Sequence, residues 1–102
     1  ITSKNSTRDF CYIDDVIRAI FLVMKNNNVK NLIMNIGSGK STSINELVNI
    51  LKKKMDKGRP IFVKTKNENN ILHSRADINF IKKKLGWKPR IKLNQGLKRI
   101  LN

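Results

Sequence analysis

The sequence has few of the residues that mark secreted, metal-binding or membrane-spanning proteins. Its single cysteine, Cys11, cannot form a disulfide within the chain, and no cysteine or histidine pair has the spacing of metal ligands. No apolar run approaches the roughly 20 residues that cross a bilayer, and the opening residues lack the apolar stretch of a signal peptide. These absences predict a cytoplasmic protein without a metal site or a membrane partner.

Acidic residues are scarce as well, since 7 Asp and Glu stand against 22 Lys and Arg among 102 residues, a formal net charge of +15. Such a balance is compatible with a small basic module that binds nucleic acid without catalysis. The lysines, however, are spread over every segment. For five of the six aromatic residues the sequence predicts core positions instead of exposed stacking surfaces: Phe10, Tyr12, Phe21, Phe62 and Trp87. We therefore expect no specific nucleic-acid partner and keep the basic module as an alternative.

The apolar residues that are present follow helical or strand period within one small unit, residues 1–102. Short apolar runs predict three strands, at Phe10–Ile13, Leu32–Ile36 and Ile61–Val63. Helical spacing predicts four helices, which begin near Val16, Ile44, Asp77 and Leu93. The order strand, helix, strand, helix, strand, helix, helix is typical of the α/β class.

Local signals predict how these helices begin and end. Asp14 or Asp15 is expected to cap the first helix, whose broad apolar face predicts deep burial. Ser43 and Glu46 have the spacing of a capping box at the start of the second helix. Gly86 stands where the third helix needs a residue in the left-handed conformation to end.

The segment Gly37-Ser38-Gly39-Lys40-Ser41-Thr42 looks like a phosphate-binding loop, because it follows a predicted strand and precedes a predicted helix. A Walker loop needs a glycine five residues before Gly39, and that position holds Met34. The spacing therefore excludes a true P-loop. A sharp turn is the preferred interpretation, and a general anion site made by its amides is the alternative.

Three blocks have the order and spacing found in a known family. They are residues 7–16 (TRDFCYIDDV), residues 34–39 (MNIGSG) and residues 76–89, which begin with ADI and end with LGWKP. In these blocks the chain resembles the extended short-chain dehydrogenase/reductase family, in its NAD-dependent epimerase/dehydratase branch. The resemblance covers essentially the whole chain. It implies the C-terminal, substrate-binding part of a Rossmann-type fold, with about three short strands and four helices.

The resemblance also implies what the chain does not contain. In the family, the Gly-rich dinucleotide fingerprint and the Tyr-x-x-x-Lys pair lie upstream, in an N-terminal dinucleotide-binding domain absent from this sequence. Tyr12 is the only tyrosine, and Val16 stands where that pair requires lysine. We therefore expect NAD to be bound by the missing part, and this chain to contain no catalytic or cofactor-binding residue and to be inactive alone. The family pattern makes Asp9, Asp14 and Asp15 scaffold residues.

The implied reaction begins with oxidation of a sugar carbon by NAD, and the keto-sugar is then epimerised by an isomerase or dehydrated by a lyase. The implied substrate is a nucleotide-sugar, and two residues are candidates to bind its diphosphate. Arg8 matches the family arginine in this role, and its planar guanidinium suits two-pronged bonds to phosphate oxygens. Asn35 matches a second family position, although an amide there could equally cap the turn. Family members often form homodimers, which leaves a homodimer of the whole enzyme open.

One departure from the family concerns a further arginine that often grips the nucleotide phosphates. The aligned run here is Asn67–Asn70, which contains no arginine. Arg75 or Lys66 is a candidate substitute, and an inactive relic of the enzyme is the other interpretation. His73 has no acid or nucleophile nearby in the sequence and is expected to be a surface or structural residue.

Overall fold

The computed structural model describes residues 5–26, 31–56, 58 and 72–101. In these residues the elements follow in the order β1 (Thr7–Arg8), α1 (Ile13–Lys25), β2 (Thr42–Ser43), α2 (Ile44–Met55), α3 (Asn79–Leu85) and α4 (Leu93–Leu101). β1 pairs antiparallel with β2, and Thr7 also forms a parallel bridge to His73. The four predicted helices are present and the predicted α/β class is confirmed.

α1 begins earlier than the sequence predicts. Because it starts at Ile13, the predicted strand Phe10–Ile13 is wrong. Tyr12 occupies the N-cap without a side-chain bond, and its carbonyl accepts the Asp15 amide at 3.0 Å. The prediction that Asp14 or Asp15 caps the helix is also wrong. Both acids stand in the first turn, where the positive end of the helix dipole favours negative charge.

The second predicted strand, Leu32–Ile36, forms no ladder with any segment that the structure describes. A strand exists only where a neighbour supplies partners for its amides and carbonyls. Among the described residues, β1 and β2 supply such partners to each other, whereas no segment supplies them to Leu32–Ile36. The third predicted strand, Ile61–Val63, lies outside the described residues.

The apolar face of α1 is exposed, so the prediction of deep burial is wrong. Only Asp15 and Ala19 of this helix are buried. Phe21, which was predicted to be a core residue, is 56% exposed. The other large apolar side chains that the helix exposes are Ile13, Ile17, Ile20, Val23 and Met24. The helical spacing correctly predicts an apolar face, but burial of that face needs an element that covers it.

The ends of α2 and α3 follow the predicted local chemistry. The Ser43 hydroxyl accepts the Glu46 amide at 3.0 Å and lies 3.2 Å from the Glu46 carboxylate. At the start of α3 the Asp77 carboxylate accepts the Asn79 amide at 3.0 Å. Gly86 ends α3 in the left-handed conformation with φ of 65°. The Ser43 cap and the left-handed Gly86 are confirmed, because each depends only on residues close together in the sequence. The Glu46 carboxylate accepts the Ser43 hydroxyl, and Ile78 occupies the N-cap of α3.

The core is small and centres on Trp87, which is fully buried as predicted. Its indole N–H donates to the Asp15 carbonyl at 3.0 Å. The other buried apolar residues are Ala19, Ile78 and Ile81, with Leu22, Met34, Ile36, Ala76 and Leu85 packed around them. Phe10 and Tyr12 are half-buried, and Phe62 lies outside the described residues. None of the described helices has the length and apolar character needed to cross a membrane.

Candidate functional site

Arg8 lies on β1 and is half-buried. Its Nη1 donates to the Thr7 carbonyl at 2.7 Å and, at 3.4 Å, to the Leu72 carbonyl. Both acceptors are neutral, and Arg8 forms no ion pair within the part of the chain that the structure describes. A guanidinium has five N–H donors in a rigid fork, so most of its donor capacity stays available for an anion.

Asp9 follows Arg8 and binds the turn that resembles a phosphate-binding loop. Its Oδ1 accepts the Ser38 amide at 2.8 Å and the Ser38 hydroxyl at 2.6 Å. Its Oδ2 accepts the Gly39 amide at 2.9 Å and the Ala76 amide at 3.1 Å. The carboxylate therefore occupies two turn amides that would otherwise attract a ligand anion. Of the two interpretations of this segment, the structural turn is confirmed.

These hydrogen bonds determine the charge of Asp9. Partial burial on its own raises the pKa of the Asp9 carboxyl, because it disfavours the charged form. The bonds from Ser38, Ala76 and Gly39 outweigh burial and hold the pKa below its ordinary value. Asp9 is therefore an ionised acceptor at neutral pH, and it is not poised to act as a proton donor.

Gly37 allows three separate segments to meet at Asp9. A Cβ at this position would lie 2.6 Å from the Ala76 Cβ and 2.8 Å from the Asp9 Oδ2. Real Cβ atoms do not approach other atoms this closely, so the contact requires glycine. Gly39, with φ of 73°, supplies the left-handed conformation that closes the turn.

A depression of about 490 Å³ opens where these segments meet. Asn35 and Arg75 line it, together with Asp9, Cys11, Ile36, Gly37, Ser74, Ala76 and Asp77. Both are exposed, and within the described residues the Asn35 side chain makes no hydrogen bond. The alternative that Asn35 caps the turn is therefore not what the structure shows. Of the sequence candidates, the depression brings Asn35 together with Arg75, and Arg8 is not part of its lining.

Asp15 is held by partners that the sequence did not reveal, although the resemblance implies a scaffold role for it. Its side chain is 3% exposed and forms an ion pair with Arg18 at 3.0 Å. It also accepts the amides of Arg90 at 3.1 Å and Ile91 at 3.0 Å. Burial raises the pKa of the Asp15 carboxyl, but the bonds from Ile91, Arg90 and Arg18 together hold it below its ordinary value. Asp14 pairs with Arg99 at 3.3 Å on the surface.

Cys11 and His73 are reactive residue types, but their surroundings do not favour a catalytic role. Burial, and then the charges of Asp15 and Asp9, raise the pKa of the Cys11 thiol, so it is protonated and weakly nucleophilic at neutral pH. His73 shares a hydrogen bond of 2.9 Å with the Thr7 hydroxyl, beside the β1 bridge. Among the described residues no three side chains are grouped so that they could hold a metal ion.

The contact between Asp9 and the turn is the feature that sequence reasoning missed. The family pattern predicts a scaffold role for Asp9 but names no partner, and the Ser38 and Gly39 amides are donors that need an acceptor. The signal was therefore present in two blocks of the sequence, but 29 or 30 residues separate the partners.

The sequence matches a known family and several relatives. The model of the GDP-mannose 4,6 dehydratase family matches residues 2–100. A putative UDP-glucose 4-epimerase of Methanocaldococcus jannaschii is 42% identical over 99 residues, which are 96% of this chain and 31% of that protein. A UDP-glucuronate 4-epimerase of Thermodesulfobacterium geofontis is 35% identical over 96 residues, 93% of this chain and 29% of that protein.

Solved structures agree with these matches. UDP-glucose 4-epimerase of Thermotoga maritima, solved with UDP-glucose, superposes with a TM-score of 0.84 at 30% identity and covers 100% of this chain. UDP-glucuronic acid 4-epimerase of Bacillus cereus, solved with UDP-glucuronic acid and NAD, gives 0.86 at 29% identity and covers 96%. The match spans 35% and 32% of those two chains, about a third of each. The chain therefore belongs to the NAD-dependent nucleotide-sugar epimerase/dehydratase family of extended short-chain dehydrogenases/reductases.

Proposed function

We propose that residues 1–102 are the C-terminal, substrate-binding portion of an NAD-dependent nucleotide-sugar epimerase or dehydratase. In this proposal Arg8 and Asn35 anchor the nucleotide diphosphate. The observation that carries the proposal is the half-buried Arg8 guanidinium, which has only neutral acceptors among the described residues. A partly desolvated cation of this kind is a strong site for a phosphate oxygen.

The anchor acts at a distance from the reacting sugar carbon. Bonds to the diphosphate place the sugar without taking part in the chemistry, so binding energy is converted into correct orientation. Structures of related proteins in complex with UDP-glucose and UDP-glucuronic acid support a UDP-sugar as the substrate class. The resemblance also favours a homodimer of the whole enzyme, which light scattering on the intact protein would test.

Within the residues that the structure describes, the glycine-rich turn does not fit the pyrophosphate of NAD. The Gly37-Ser38-Gly39 turn is the glycine-rich turn in the described part, and Asp9 occupies its Ser38 and Gly39 amides. A dinucleotide fingerprint leaves such amides free for the pyrophosphate. We therefore assign NAD binding and catalysis to a dinucleotide-binding domain that precedes residue 1, and expect this portion alone to be inactive.

Two exposed apolar surfaces support a preceding domain. The first is the apolar face of α1, where Met24 is 73% and Ile13 59% exposed. The second is at Leu32–Ile36, where Met34 and Ile36 pack on the core while Ile33 is 90% exposed. Apolar patches of this kind mark surfaces that another domain covers.

The test of the function is turnover by the intact protein. We expect the protein with NAD to convert UDP-glucose or UDP-glucuronic acid into an epimerised or dehydrated sugar, resolved by anion-exchange chromatography and identified by NMR. Failure to convert these and other nucleotide-sugars would contradict the proposed function and would favour an inactive relic.

The test of the domain assignment is the coding sequence upstream, in the same reading frame. We expect it to encode a glycine-rich strand-turn-helix followed by a Tyr-x-x-x-Lys pair. An upstream frame without either motif would contradict the assignment of NAD binding to a preceding domain.

The net charge of +15 is the observation that favours the alternative, a basic nucleic-acid-binding module. The lysine runs Lys52–Lys54 and Lys82–Lys84 lie in the last turns of α2 and α3, where cations also stabilise the helix ends. A filter-binding titration with salt distinguishes specific nucleic-acid binding from an effect of net charge alone. We expect nucleic-acid binding to vanish near physiological salt, whereas persistent affinity would favour the alternative.

A further inference from the structure

Asp9 connects three segments that are far apart in the sequence. Its own segment follows Arg8, and its carboxylate holds the amides of Ser38, Gly39 and Ala76. The sequence separations are 29, 30 and 67 residues. All four bonds to the carboxylate, including the Ser38 hydroxyl, are between 2.6 and 3.1 Å, within the range of good hydrogen bonds.

Each of these segments carries a side chain suited to phosphate. Arg8 precedes Asp9, Asn35 stands two residues before Gly37, and Arg75 precedes Ala76. An amide fixed to a carboxylate also fixes the backbone next to it. The position of one carboxylate therefore sets where Arg8, Asn35 and Arg75 stand relative to one another.

Arg75 is the cation of the depression that also contains Asn35. It is exposed and forms no ion pair with a described residue, although Asp9 and Asp77 line the same depression. The Asp9 oxygens point to amides and to a hydroxyl, so their lone pairs are used within the protein. An anion that enters the depression thus finds free donors on side chains, and finds the Ser38 and Gly39 amides already bonded.

We propose that Asp9 is a positioning residue of the nucleotide-sugar site, whose carboxylate holds Arg75 and Asn35 in place to bind the diphosphate. Arg75 then supplies the phosphate contact for which the run Asn67–Asn70 offers no arginine. This inference rests on the proposed function. It adds Arg75 as a phosphate-binding residue, and it makes Asp9, which does not touch the ligand, responsible for the geometry of the site.

The experiment measures kcat and KM for UDP-glucose, and the inhibition constant of UDP, on the intact protein. In Asp9→Asn the side-chain amide places N–H donors where the carboxylate accepted backbone N–H groups, which separates the segments. Because these hydrogen bonds to a charged group are then weakened, we expect KM and the UDP inhibition constant to rise about tenfold. We expect kcat per folded active site to change much less.

The control is Asp14→Asn, because Asp14 is an exposed carboxylate whose partner is Arg99. We expect this variant to leave KM and the UDP inhibition constant unchanged. If Asp9→Asn does not fold, Ser38→Ala removes one donor to the carboxylate and keeps the Ser38 amide. We expect it to raise KM in the same direction by a smaller factor.

A merely structural role would not couple Asp9 to Arg75. Since Asp9 acts through Arg75, we expect Arg75→Ala alone to raise KM, and the variant with both substitutions to raise it by less than the product of the single effects. Independent effects, or an unchanged KM in both Asp9→Asn and Ser38→Ala, would overturn the inference. If Arg8→Ala still raises KM in that case, the proposed function stands; if Arg8→Ala also leaves it unchanged, the anchoring function itself fails.

Discussion

Two aspartates, Asp9 and Asp15, organise two regions of the chain by the same means, and the regions differ in what lies around them. The Asp15 side chain is 3% exposed and accepts the amides of the segment that follows the fully buried Trp87. Asp9 is half-buried and accepts the amides of a turn, but the region around it opens into a depression of about 490 Å³. Each carboxylate joins segments that are distant in the sequence.

Because their surroundings differ, we expect Asp15 to contribute mainly to stability and Asp9 mainly to ligand binding. Around Asp15 the bonds close a core, and Arg18 neutralises the charge. Around Asp9 the neighbouring side chains Asn35 and Arg75 remain exposed, so the same kind of hydrogen-bond network borders an open depression. Breaking the first network is expected to lower the free energy of unfolding, and breaking the second to weaken binding of the nucleotide-sugar.

The largest expected effect on stability is that of Asp15→Ala. It leaves the Arg90 and Ile91 amides without their acceptor and removes the carboxylate partner of Arg18, which keeps its bond to the Lys88 carbonyl. Loss of one partner of a buried ion pair costs about 3–5 kcal/mol, so we expect the free energy of unfolding, measured by urea titration of the intact protein, to fall by that amount. The exposed control Asp14→Ala is expected to lose less than about 1 kcal/mol. Equal losses in the two variants would refute the role given to Asp15.

A smaller effect is expected from Gly37→Ala. The new Cβ would meet the Ala76 Cβ and the Asp9 carboxylate, so the segments must move apart. Overpacking of this kind costs about 1–3 kcal/mol, and we expect KM for the nucleotide-sugar to rise together with it. Gly86→Ala is the control, because Gly86 has φ of 65° and its Cβ would meet no atom within 4 Å. Gly86→Ala is expected to lower stability without changing KM. An equal rise of KM in Gly37→Ala and Gly86→Ala would contradict the binding role given to the Asp9 region.

The smallest expected effect is a dependence of stability on acid pH. The pKa values of Asp9 and Asp15 are both lowered in the folded protein, so the unfolded chain binds protons first as the pH falls. The stabilisation is fully present above the ordinary value of 3.8 and is lost as the pH falls below it. Each group contributes a slope of at most about 1.4 kcal/mol per pH unit. Urea titrations between neutral and acid pH should show this slope reduced in Asp15→Asn and in Asp9→Asn, and an unaltered slope in both would be evidence against the networks.

The features that were predicted correctly depend on neighbours in the sequence. The four helices, the Ser43 cap and the left-handed Gly86 follow from spacing over a few residues. The two predicted strands that fall on described residues were placed wrongly, because pairing depends on distant partners, such as Ser43 for Thr7. Burial of α1 was predicted wrongly because a helical face is buried only when another element covers it.

The candidate site follows the same division. Arg8 and Asn35 came from the resemblance to a family and stay predictions as substrate-binding residues. The sequence identified Arg75 as a candidate, but only the fold places it beside Asn35. The bonds from Asp9 to the turn and to Ala76 span 29 to 67 residues, which no local pattern reveals.

The most direct test of the account is KM for UDP-glucose in Arg8→Ala compared with Arg90→Ala, both in the intact protein. Arg90 is exposed, and its bonds to Asp15 use only its backbone amide, so Arg90→Ala removes the same charge away from the proposed anchor. Because a bond to a charged group contributes about 1.5–3 kcal/mol, we expect KM to rise about tenfold or more in Arg8→Ala and to change little in Arg90→Ala. An unchanged KM in Arg8→Ala, or an equal rise in both variants, would contradict the assignment of this chain as the diphosphate anchor.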